Sequence, residues 1–167
     1  MKHLHEFNAA PAAAAQELAL FFCGAAAWAN AVVAQRPYTN LSELRAAAAE
    51  LWEHADDAAR LEAFAAHPLI GDVDHLRQKF AATARTEQGQ VLSADEDTLA
   101  TLAALNRQYL EHHKFIFIIC ATGRSAAQML AALRARIDNS TDEEIANAAA
   151  EQAKITQLRI GQTFPDD

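Results

Sequence analysis

Thr141–Ile160 reads TDEEIANAAAEQAKITQLRI, and the fold class follows from it. Alanine and other strong helix formers dominate the stretch, and neither glycine nor proline interrupts it. Thr141 with Glu144 three residues later is a capping-box start, so a helix is expected from there to about Ile160. Ile145, Ala148, Gln152, Ile155 and Arg159 recur at helical spacing along one stripe. That places Arg159 on the inward face of an otherwise apolar helix. A buried guanidinium without a partner is costly, so a carboxylate is expected beside it, from the protein or from a bound substrate.

The same chemistry extends through the 167 residues, of which 51% are hydrophobic and 22% charged, with five glycines and four prolines. This is a globular, helix-leaning balance, and the reading is all-α, with residues 1–167 as a single domain. Asn8 and Pro11 are expected to open an apolar helix through Leu18, Phe21 and Phe22, broken near Gly24 and resumed from Trp28 to about Gln35. Arg36-Pro37-Tyr38 forces an extended turn. Asn40 with Glu43 starts a helix carrying Leu44, Leu51 and Trp52. Asp56 or Asp57 caps the next, which carries Leu61 and Phe64 and must stop at His67, because Pro68 follows.

Asp72 is an N-cap for a segment with Leu76 and Phe80, and Ser93 with Glu96 forms a capping box. The helix it opens places Leu99, Leu102, Ala103, Asn106, Leu110 and His113 on one face, Asn106 being read as a satisfied core amide. Phe115-Ile116-Phe117-Ile118-Ile119-Cys120 is strand-like but has no partner segment. It reads as an extended connector crossing the core, whose backbone groups could meet a ligand. Ser125 with Gln128 opens a further helix bearing Met129, Leu130, Leu133 and Ile137.

A formal net charge of −8 disfavours nucleic acid and anionic membranes as partners. An anionic small molecule would be received by a few placed cations. Cys23 and Cys120 form no C-x-x-C pair and read as reduced thiols. No signal-peptide pattern, bilayer-length apolar run or peroxisomal address is apparent, so a soluble cytoplasmic protein is expected.

Three places invite a chemical reading beside a structural one. His67, locked by Pro68, is a side chain able to exchange protons near neutrality, or else a histidine placed on a helix dipole. Glu87-Gln88 offers a carboxylate beside an amide, suited to urea-like edges, or else a solvated helix end. Arg159 is an anion holder or a core salt bridge. His54, His75 and His112-His113 lack a second ligand at metal spacing, so no metal site is expected.

Five segments in order resemble one family: Ala66-His67-Pro68-Leu69-Ile70-Gly71-Asp72, Glu87-Gln88-Gly89, Leu105-Asn106-Arg107-Gln108-Tyr109, the run from Phe115 to Ser125, and Glu151 to Arg159. That family is the 2-oxo-4-hydroxy-4-carboxy-5-ureidoimidazoline (OHCU) decarboxylases of the urate-to-allantoin pathway. The resemblance implies an all-α homodimer without metal or organic cofactor, converting OHCU to (S)-allantoin and CO2. It also implies His67 and Glu87 as catalytic groups, Gln88 and Arg159 as substrate-binding groups, and Pro68 and the Ile119 backbone as pocket lining. Ala84 stands where many members carry serine, and Lys114 where many carry glycine. Two rivals remain at this level: a helical interaction module without catalysis, and a lyase of the same fold acting on another ureide-like acid.

Overall fold

Helix starts fall where a side chain can accept the first unpaired backbone N–H groups. Asn40 Oδ1 accepts from Glu43 N at 2.9 Å and Asp56 Oδ1 from Ala59 N at 2.8 Å. Ser125 and Gln128 close a reciprocal capping box. The computed structural model describes residues 1–68 and 96–165. Expectations for Asp72, Leu76, Phe80, Ala84, Glu87, Gln88 and Ser93 lie outside the described residues. Within them the helices are α1 (Leu4–Ala9), α2 (Ala12–Phe22), α3 (Ala26–Ala34), α4 (Leu41–Glu53), α5 (Asp57–Ala65), α6 (Glu96–His113), α7 (Ala126–Arg136) and α8 (Thr141–Thr163), and no strand occurs among these residues. The all-α reading is correct. None of these helices is long and apolar enough to cross a membrane.

Two compact units divide the chain: Met1–His67 with Asn147–Asp167, and Pro68–Ala146. In the first, α3 packs on α2, α4 and α5. Phe7 and Phe22 each lie 6.1 Å from the Phe164 ring, and Leu44, Phe64 and Ile160 are fully buried with them. Both tryptophans bury their rings and spend their N–H on carbonyls, Trp28 on Ala48 and Trp52 on Ala149, as burial of an indole requires. Between α2 and α3, Gly24 passes so close to α5 that a Cβ there would stand 2.3 Å from the Ala66 Cβ. The break expected near Gly24 is therefore a close crossing of two backbones beside His67.

In the second unit α6 packs on α7. Tyr109 lies at its centre, edge-on to Phe115 at 5.8 Å and Phe117 at 5.2 Å. Its hydroxyl donates to the fully buried Glu144, which also accepts from Arg136 Nε at 2.9 Å and Asn139 Nδ2 at 2.9 Å. Those donors and the Arg136 charge compensate a carboxylate that would otherwise be expensive to bury. Residues 116–121 form no helix or strand and connect α6 to the turn before α7.

Four local expectations need correction. Asn8 lies inside α1, a short helix unforeseen in the sequence, and its side chain is bonded to the backbone of Tyr38. On α6 the buried position is Tyr109, whereas Leu110 is half-buried. The capping pair of α8 is Ser140 with Glu143, one residue earlier than Thr141 with Glu144; Glu144 is released for the core. The buried row of α8 is accordingly Glu144, Ala148, Gln152, Thr156 and Ile160, and Ile155 and Arg159 flank it half-exposed.

Candidate active site

His67 follows the last turn of α5, where its N–H still bonds to Phe64 O at 3.2 Å. Pro68 supplies no N–H and ends the helix there. The half-buried imidazole meets one described side chain: Nε2 lies 2.5 Å from Gln152 Oε1. Gln152 is fully buried on α8, and its amide nitrogen donates to Thr156 Oγ1 at 3.2 Å. The Thr156 hydroxyl donates in turn to Phe22 O at 3.3 Å. A continuous polar row thus runs through the first unit from His67 to the C-terminal end of α2.

Arg159 joins the far end of that row. Its Nη1 donates to Phe21 O at 2.7 Å and Phe22 O at 3.4 Å, and its guanidinium lies 5.4 Å from the Phe21 ring centroid. These are the terminal carbonyls of α2, where a cation is favoured by the helix dipole. Of the two carboxylate partners expected, the protein's own is not found among the described residues: carbonyls and a ring face take the guanidinium. The residue lies beside the buried row, so it needs less compensation than a fully buried charge.

Burial pulls the His67 pKa below the ordinary histidine value of 6.5; the bond to Gln152 opposes this, and the positive charge of Arg159 adds to the lowering. At neutral pH the imidazole is therefore an uncharged base. Cys23 is fully buried beside Thr156, and burial pushes its thiol up to about 11. It stays protonated and offers no nucleophile.

The structure places His67 and Arg159 in one unit and joins their surroundings through Gln152 and Thr156. Pro68 is exposed. Ile119 sits on the connector of the second unit, half-buried, and the carbonyls on either side of it are bonded by arginines: Ile118 O by Arg136 at 2.9 Å and Cys120 O by Arg124 at 3.1 Å. Glu87 and Gln88 fall outside the described residues. Sequence reasoning put Gln152 on the inward stripe without a role. The signal was available: Gln152 and Thr156, four residues apart, are two polar side chains on a row that is otherwise apolar between Ala148 and Ile160. Among the described residues no group of three His, Cys, Asp or Glu is placed to hold a metal.

An all-helical frame with a neutral, half-buried histidine and an arginine on a neighbouring helix face is suited to proton-transfer chemistry on a small anion. Residues 8–161 match the model of the OHCU decarboxylase family. The uric acid degradation bifunctional protein TTL of Arabidopsis thaliana is 35% identical over 86% of this chain, which spans 45% of that protein's length. The 2-oxo-4-hydroxy-4-carboxy-5-ureidoimidazoline decarboxylase of Amia calva is 32% identical, covering 79% of this chain and 77% of its own. A crystal structure of OHCU decarboxylase in the presence of (S)-allantoin superimposes with a TM-score of 0.73 at 33% identity, over 90% of this chain and 99% of that one. This chain belongs to the OHCU decarboxylase family.

Proposed function

We propose that this protein decarboxylates OHCU to (S)-allantoin, using His67 as the acid–base group at the substrate hydroxyl. Glu87 and Gln88 bond the ring and ureido edges, Arg159 holds an anionic edge, and Pro68 and Ile119 line the pocket. Residues 1–167 act as one domain of a cytoplasmic homodimer, and no metal or organic cofactor takes part. The observation that carries the reading is the state of His67: half-buried, its pKa lowered, and held through Nε2 by a buried amide. The bonds from Arg159 to α2 both come from Nη1, so its Nε and Nη2 donors suit a bidentate carboxylate.

The chemistry asks little beyond such groups. The electron pair of the C–CO2 bond moves into the adjoining ring C=N, whose nitrogen takes up a proton. The enol that results gives its O–H proton to a base and receives a proton at the neighbouring ring carbon. The substrate is its own electron sink, so the protein must orient it, exclude water and move protons on one face. Freshly generated OHCU decays unaided to racemic allantoin. With the protein, CO2 release should accelerate and circular dichroism should report the S product. His67→Asn should keep its fold and lose at least about a hundredfold in kcat. A racemic product at the spontaneous rate would overturn the decarboxylase reading; a His67→Asn variant with normal kcat would remove His67 from it.

A further inference from the structure

We infer that Gln152 is a positioning residue that fixes His67 as its Nε2–H tautomer, so that Nδ1 is the atom exchanging a proton with the substrate. The inference rests on the acid–base role of His67 proposed above and follows from donor counting along the row. Phe22 O can only accept, so the Thr156 hydroxyl spends its single proton there at 3.3 Å. Thr156 Oγ1, which also meets the protonated Cys23 thiol, must then accept from its side-chain neighbours, which orients the Gln152 amide nitrogen towards it at 3.2 Å. The amide oxygen is thereby turned to His67, and an oxygen 2.5 Å from Nε2 requires a proton on Nε2.

The reversed amide would fail at both ends. Its oxygen would compete with Phe22 O for the one hydroxyl proton, and its nitrogen would face Nε2 donor to acceptor, leaving Nδ1 protonated and unable to act as a base. The amide is fully buried, so water cannot repair either mismatch cheaply. Polarity is thus passed from a main-chain carbonyl of α2 through two side chains of α8 to the ring that follows α5. When the substrate O–H bond breaks, its proton goes to Nδ1 and the electron pair stays on oxygen. The imidazolium then keeps its Nε2–H bond to Gln152, a neutral acceptor that supports the charge without trapping the proton.

The test is two-bond 1H–15N spectroscopy on the full-length protein at a pH where His67 is neutral, with His67→Asn used to assign its signals. Nε2 should appear as the protonated, pyrrole-type nitrogen and Nδ1 as the pyridine-type one. Gln152→Met should mix the tautomers and lower kcat by at least about tenfold with KM little changed. Gln152→Glu, which keeps an acceptor, should restore the Nε2–H signature. Thr156→Val releases the amide from the hydroxyl and should weaken the tautomer preference even if Gln152→Met folds poorly. A wild-type Nδ1–H signature, or a folded Gln152→Met variant with unchanged tautomer and kcat, would overturn the inference. An Nε2–H signature together with normal turnover in His67→Asn would instead leave Gln152 holding a ring that does no chemistry.

Discussion

An arginine and a histidine on one polar row set each other's behaviour. The charge of Arg159 opposes protonation of His67, so the acid limb of kcat/KM should lie below 6.5. In Arg159→Gln that limb should move upward, because the repelling charge is gone while burial and Gln152 remain. A limb that stays in place would separate the two residues electrostatically. The same variant loses two bonds to the carbonyls of α2 and a ring contact. Its stability should fall by about 1–2 kcal/mol, with catalytic efficiency reduced at least about tenfold. Full stability loss with normal turnover in the folded fraction would make Arg159 a helix-capping residue alone. His67 was legible in the sequence because Pro68 marks it locally. The role of Gln152 was not, since its partner lies 85 residues away. Arg159 reads from the sequence as an inward cation, whereas it flanks the buried row half-exposed; carbonyls leave no trace in a sequence, and its partners are carbonyls.

Helix existence followed from propensity and capping pairs, while helix rotation did not. Ser140 and Thr141 both offer a hydroxyl three residues before a glutamate, and the buried row of α8 keeps the expected Ala148 and Gln152 but takes Glu144, Thr156 and Ile160 in place of Ile145, Ile155 and Arg159. Burial of Glu144 settles the choice, because Tyr109, Arg136 and Asn139 converge there. At the end of α6, Lys114 adopts φ +67°, a left-handed turn that costs a side chain about 1 kcal/mol. Lys114→Gly should relieve it, with a net gain of about 0.5 kcal/mol after the added freedom of the unfolded chain is counted. An unchanged urea midpoint would deny the strain. Gly24 is the opposite case. Gly24→Ala sets a methyl 2.3 Å from the Ala66 Cβ, so either the α2–α3 connection or the end of α5 must shift. A loss of about 1–3 kcal/mol is expected, with a lowered kcat because His67 adjoins the clash. Unchanged melting and turnover would show that the crossing has slack.

Among the described residues each compact unit contains one histidine whose pKa burial lowers, and this gives folding a readable response to acid. In the first unit His67 is lowered as described above. In the second, burial lowers His113 below 6.5; the bond to Ile137 O opposes this, His112 lowers it further, Glu144 opposes, and Arg136 lowers it. Its Nε2 faces Ile137 O at 3.3 Å and its Nδ1 faces Thr141 Oγ1 at 3.2 Å. The neutral Nε2–H ring therefore satisfies a carbonyl and accepts from a hydroxyl at once. Between the lowered native pKa values and 6.5 the unfolded chain binds more protons than the native one, so stability rises with pH and falls as pH drops through this window. The capping carboxylates Glu6, Glu43 and Glu143 are lowered from 4.5 by backbone or serine hydrogen bonds. Their contribution is present above 4.5 and is lost only on further acidification. Melting between pH 7.5 and about 5 thus isolates the histidines. The melting temperature should decline across that interval in the wild type, and less steeply in His67→Asn and in His113→Asn. A wild-type melting temperature flat from pH 7.5 to 5 would mean that both rings take up a proton as readily in the native as in the unfolded chain. Burial would then leave both native pKa values near 6.5, and the acid limb of kcat/KM proposed for His67 should rise to that value.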